Sequence, residues 1–325
     1  MGTFALHFGP VTQFGRRRFL AAGAAAVAVG CAPETAHLRA SGPRALVSRG
    51  IDRLIEAHRS VDGAGVSLTR HTQMAALETL DPFVLLDEIH SSNPTDYERG
   101  FPSHPHRGFE TVSIMLDGRF RHRDSHGGGG VVVPGGAQWM TAGSGIVHSE
   151  MPEMDGPSTE LWGFQLWVNL PRADKWTAPG YQELGAERMA EIDLDRGGQL
   201  RVIAGELLGG RGPVTPRATA PVLATLRLAA GEDVELRLPR AHAAFVLAAD
   251  GSPSIGPRRE AIPEGALAML TGGELLRIRS DAPAQLLVMA GAPIREPIAH
   301  GGPFVMNTEE EIRQAFDDYR AGRLG

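Results

Sequence analysis

The chain has 325 residues, a formal net charge of −6, 41 Gly, 23 Pro and a single cysteine, Cys31. One cysteine excludes an intramolecular disulfide, and the acidic balance argues against general affinity for nucleic acid or an anionic membrane surface. The length admits two domains or one large β-rich domain, and the many glycines and prolines suit short strands joined by tight turns.

In chain order, Arg16-Arg17-Arg18-Phe19-Leu20 precedes ten small apolar residues, Ala21 to Gly30, and then Cys31. A charged run before so short an apolar stretch reads as a targeting segment, too short to persist as a spanning helix. Arg16 to Leu20 resembles a twin-arginine export signal. Ala28-Val29-Gly30-Cys31 resembles a loose lipobox, whose cysteine is lipidated after cleavage. Residues 1–31 are thus expected to export the protein, to the periplasm or to a membrane held only by lipid on Cys31. If the signal is not used, the segment is an Ala-rich extension on a cytoplasmic protein. A product starting at Cys31 loses three arginines and no acid, and carries −9.

Residues 32–45 read as a linker. In residues 46–60, Leu46, Ile51, Leu54 and Ile55 fit a helix about as well as a strand. From Gly63 the pattern is that of strands, Val66 to Arg70 and then Pro82 to Glu88. Residues 46–185 are taken as the first domain.

Two clusters of metal-binding side chains lie within it. The first is His104-Pro105-His106; the second, with forty-one residues between His106 and His148, is His148-Ser149-Glu150. Both space their donors two apart, which on a β-strand puts both side chains on one face. Neighbouring strands could aim three imidazoles and one carboxylate at a single ion. Unbroken alternation would place His104, His106, Glu110, Val112, Ile114 and Leu116 on one face, as inside a small barrel. Glu110 is a weaker candidate, as a ligand or as a partner that orients a histidine. Gln138, Trp139 and Met140 are candidates to line the pocket or to pack. His122 and His126 flank the glycine run 127–130 and read as solvated turn residues. Asp117-Gly118 is a hairpin signal that returns the chain through Phe120 to Asp124.

The half at 186–295 repeats the first. Ala244 to Gly251 parallels Val112 to Gly118, and Pro263 to Arg279 parallels Pro134 to Glu150. In this register Arg277 and Arg279 replace His148 and Glu150, while Arg237 and Pro239 replace His104 and His106. Guanidinium cannot ligate a cation, so this barrel is expected to hold no metal. Residues 296–325 form a tail. In it Thr308-Glu309-Glu310-Glu311 is a capping box opening a helix, with an apolar stripe of Ile312, Ala315, Phe316 and Tyr319.

Three stretches, 104–112, 138–152 and 296–312, resemble the pirin family of bicupin proteins. The resemblance runs from about residue 50 to the C-terminus. It implies an all-β fold of two cupin barrels face to face with a short C-terminal helix, and iron in the first barrel on His104, His106, His148 and Glu150. It also favours a strand near residues 51–59. A divalent ion on three neutral imidazoles and one carboxylate keeps open positions and a charge of +1, which suits O2 and an enolate. Fe(II) is the family expectation; the donors also accept Mn, Co, Ni, Cu or Zn. The implied activity is that of a quercetin 2,3-dioxygenase on a flavonol-like aromatic substrate, with Glu150 as ligand and catalytic base. The chain is expected to act as a monomer. The alternative is a regulator that binds protein partners according to the redox state of its metal.

Overall fold

The computed structural model describes residues 45–72, 80–154, 159–215 and 217–324. The targeting segment, Cys31 and nearly all of the linker lie outside the described residues. The strands form two sandwiches of the same plan, paired antiparallel throughout. In the first, a seven-stranded sheet runs Gly180–Leu184, Ala137–Thr141, Phe109–Asp117, Leu161–Asn169, Phe83–Ser91, Val66–Arg70 and His58–Asp62. It faces a four-stranded sheet of Phe101–His106, Ile146–Pro152, Phe120–Asp124 and Gly129–Val132. In the second, the large sheet runs Ile51–Ile55, Leu267–Leu270, Ala243–Asp250, Ala284–Gly291, Val222–Leu228, Gln199–Ala204 and Ala190–Asp193. Its small sheet is Glu232–Arg237, Leu275–Ser280, Ser254–Ile255 and Glu260–Ala261.

The two large sheets pack on each other. Val112, Ile114, Trp139 and Leu166 from the first meet Leu223, Phe245, Leu247 and Leu287 from the second in one buried cluster. Strands covered on both faces lose their alternation, and Phe109 through Met115 are all buried.

Ile51–Ile55, assigned from sequence to the first barrel, belongs to the second, as the edge strand beside Leu267–Leu270. Arg49 anchors it: the side chain is fully buried and donates to the carbonyls of Thr271, Pro239 and His242. Asp117-Gly118 does turn the chain, with Gly118 at φ 72°, but Phe120–Asp124 crosses to the small sheet instead of returning beside Phe109–Asp117. There it pairs with Gly129–Val132 across the glycine run.

The expected common face of His104 through Leu116 is also broken. Strand Phe101–His106 ends at Arg107-Gly108, and Gly108 takes φ 88°. Beyond it Val112 and Ile114 face the other barrel, while Ser113 faces inward and meets Glu150.

In the second barrel the repeat holds in topology but not in the predicted side-chain register. Arg277 is exposed and pairs with Glu235 on the outside, and Arg237 is exposed as well. The inward positions belong to Val234, Leu236, Leu276 and Ile278, all part of an aliphatic core that fills this barrel.

The tail then returns to the first barrel. Ala299–Gly301 pairs with Phe304–Met306, and helix Glu309–Arg320 follows behind the Thr308–Glu311 capping box. Ile312 and Ala315 pack with Phe304 and Met306, and Val147 of the first barrel packs against the same cluster.

Candidate metal centre

Strands Phe101–His106 and Ile146–Pro152 are neighbours, and His104 lies opposite His148 in their register. Two-residue spacing brings His106 to the same face, so three imidazoles converge with ligand atoms within 4.8 Å of one another. His106 and His148 are buried; His104 is partly exposed. A register shift between His148 and Glu150 bends the second strand at the site.

The hydrogen bonds assign the ring nitrogens. His104 Nδ1 lies 2.9 Å from Pro102 O and His106 Nδ1 lies 3.2 Å from Pro303 O. A ring nitrogen facing a carbonyl oxygen must be a donor, so both Nε2 atoms carry lone pairs. Those two Nε2 atoms stand 3.0 Å apart. Two ligands about 2.1 Å from an ion at right angles are themselves about 3.0 Å apart, so the spacing suits one metal. His148 supports the same fit, since neither of its buried ring nitrogens has a hydrogen-bond partner. Burial, reinforced by His104, holds the pKa of His106 and His148 well below the usual imidazole value, which keeps both neutral and able to ligate.

Glu150 borders the cluster without entering it. Its Oε2 is 4.0 Å from His148 Nε2. Gln165 Nε2 donates to both carboxylate oxygens at 3.0 Å, and Ser113 Oγ donates to Oε1 at 3.0 Å. On the side away from the histidines a cavity of about 30 Å³ is walled by Ile89, Phe101, Met115, Phe120 and Leu161. The carboxylate therefore separates a polar donor cluster from a small apolar space.

Glu110 is not at the site. It faces the second half: Thr141 Oγ1 on the neighbouring strand donates to it at 2.6 Å, and Arg217 Nε from the second half lies 3.3 Å away. Burial raises its pKa, against the pull of Thr141 and Arg217. Trp139 packs between the barrels; Gln138 instead donates to Glu183 Oε1 at 2.9 Å. His126 is exposed as expected, but His122 is not a solvated turn residue. It is buried on Phe120–Asp124 opposite Glu150, with Nε2 2.9 Å from Glu183 Oε1.

Sequence reasoning missed Ser113, Gln165 and the Pro303 carbonyl. Ser113 was recoverable had Arg107-Gly108 been read as a break in strand parity. Gln165 and Pro303 carry no local signal.

The pirin family model matches residues 65–168, and the pirin C-terminal cupin domain model matches residues 223–325. A Pseudomonas aeruginosa protein provisionally named a quercetin 2,3-dioxygenase is 45% identical over 282 residues, covering 85% of this chain and 98% of that protein. Human pirin is 38% identical over 283 residues, covering 86% and 94%. A crystal structure of quercetin 2,3-dioxygenase from Acinetobacter baumannii matches with a TM-score of 0.80 at 33% identity, covering 86% of this chain and 99% of that one. Two cupin barrels, a three-histidine cluster suited to a divalent metal and this extent of identity lead to one conclusion: the chain belongs to the pirin family.

Proposed function

We propose that the protein is a dioxygenase that uses Fe(II) and O2 to open flavonol-like substrates of the quercetin type. The observation that carries this reading is a buried carboxylate, Glu150, held at the edge of three converging imidazoles, two of them buried. The names of the Pseudomonas and Acinetobacter relatives support the choice of substrate. The same donors accept Mn, Co, Ni, Cu or Zn, so iron rests on the family.

The chain's own residues divide the work. His104, His106 and His148 hold the ion, and Glu150 completes the set when its carboxylate turns toward them. An ion held by these residues would supply an electrophilic, redox-active centre for the substrate and O2. Glu150 takes the proton of the substrate's enolic hydroxyl on Oε2, the oxygen nearer His148. Gln165 and Ser113 meanwhile hold the carboxylate in place. Three neutral ligands and one carboxylate leave a net positive charge, which favours the resulting enolate. Phe101, Phe120, Met115 and Leu161 keep water from the apolar side. A flavonol far exceeds that 30 Å³ space, so it approaches from the side where His104 is exposed.

Iron-loaded protein mixed with quercetin in air is expected to bleach the flavonol absorption band, consume O2 and release carbon monoxide. A band that persists with full iron loading would sink the reading.

Export is proposed on Arg16 to Leu20 alone. Changing Arg16 and Arg17 to Lys should leave the protein in the cytosol; unchanged export of that variant would refute the twin-arginine route. No helix among the described residues is long and apolar enough to cross a membrane.

A further inference from the structure

Each histidine of the cluster is oriented differently. His104 donates to Pro102 O in its own strand, and His148 has no partner on either nitrogen. His106 donates to Pro303 O, 197 positions further along the chain, in the turn between the two tail strands. The residues beside His106 are fastened to that turn. Arg107 bridges to Phe304, and Val305 N donates to Arg107 O at 3.1 Å. The ammonium of Lys175, the only lysine, is buried and donates to Gly108 O at 2.7 Å, Val305 O at 2.8 Å and Asn169 Oδ1 at 2.6 Å. The Arg107 guanidinium donates to Ser144 O at 2.6 Å and pairs with Asp318 of the C-terminal helix at 2.8 Å. Phe304, Val305 and Met306 are fully buried.

We propose that the C-terminal tail is a working part of the metal centre: through the Pro303 carbonyl it sets the orientation and tautomer of His106, so that tail docking and metal binding strengthen each other. This rests on reading the three histidines as a metal centre. A carbonyl fixed against Nδ1–H leaves the lone pair on Nε2 and aims it at the ion. Once the carbonyl withdraws, the ring turns and its two tautomers compete. Loss of such an outer partner typically weakens metal affinity about 10–100-fold. Linkage requires the ion to stabilise the docked tail by the same factor.

The wild-type protein tests this directly. Amide hydrogen exchange is compared at Val305, in the tail, and at Val288, in the centre of the second barrel, with and without Co(II). Cobalt is expected to slow exchange at Val305 about tenfold or more beyond any change at Val288. Equal slowing at both amides, or no change at Val305, would overturn the proposal.

A second arm uses Asp318→Asn, which weakens the link to Arg107 without touching a ligand. It is expected to loosen Co(II) binding about tenfold and to shift the visible cobalt bands. Asp317→Asn, whose carboxylate is exposed and bonded to Arg320 on its own helix, should alter neither. Matching affinities and spectra for Asp318→Asn and wild type would also overturn it. If wild-type protein binds no cobalt at all, the metal centre itself is refuted, a distinct result.

Discussion

Under the proposed function Glu150 would combine two roles that pull against each other. To serve as a ligand its carboxylate turns toward His148; to take a proton it must keep an oxygen free. The bonds from Gln165 and Ser113 suit the second role, holding the group 4.0 Å short of the imidazole. Glu150→Gln keeps the shape and the three histidines but removes the basic oxygen. Turnover of quercetin should fall about 10²–10⁴-fold, while element analysis still finds metal on the imidazoles. Unchanged turnover would remove Glu150 from the chemistry. Glu110 shows why residue type alone is a weak guide. It is a buried carboxylate like Glu150, yet it pairs with Arg217 across the domain boundary.

At the scale of elements, the short break at Arg107-Gly108 decides what the first barrel contains. Had Phe101–His106 run straight into Phe109–Asp117, Val112 and Ile114 would share the histidines' face and fill the site with hydrocarbon. The break turns the following strand over, so Ser113 reaches Glu150 and the aliphatics seal the inter-barrel face. Gly108 makes this possible twice over. Its φ of 88° strains any residue with a Cβ, and a Cβ there would strike Val305 O. Gly108→Ala is therefore expected to destabilise the fold by about 2 kcal/mol or more, read as a lowered urea midpoint. An unshifted midpoint would show that the strand junction tolerates a side chain.

For the molecule as a whole, the two barrels divide labour through what fills them. The second is packed with Val234, Leu236, Leu276 and Ile278, so it acts as a rigid partner. The first keeps Glu150, His122 and Ser113 inside, with Gln165 half-buried beside them, and relies on the shared interface for apolar burial. Ile51–Ile55 crossing into the second sheet, and the tail crossing back to the first barrel, fasten the halves at both ends. The molecule should unfold as one unit. Leu287→Ala at the interface is expected to cost about 2–5 kcal/mol. All four tryptophans lie in the first half, at 139, 162, 167 and 176. Their emission should therefore shift midpoint together with far-UV circular dichroism, although the substitution is in the second barrel. Separate midpoints would mean that the barrels unfold independently.

Spacing alone was enough for the shared face of His104 and His106 and for the capped tail helix, because each depends on residues a few positions apart, whereas the meeting of His148 with them came with the family resemblance. A two-residue period on a strand puts His104 and His106 on one face wherever the strand lies, and Thr308 with Glu311 caps a helix by local bonds. Tertiary structure decided the rest: which barrel takes Ile51–Ile55, that Glu110 turns away, that His122 is buried, and that arginines of the repeat face solvent. It also decided that Gln165 and the Pro303 carbonyl serve the site. These depend on where the chain reverses its parity and on contacts between residues as many as 197 positions apart, and neither leaves a period in the sequence.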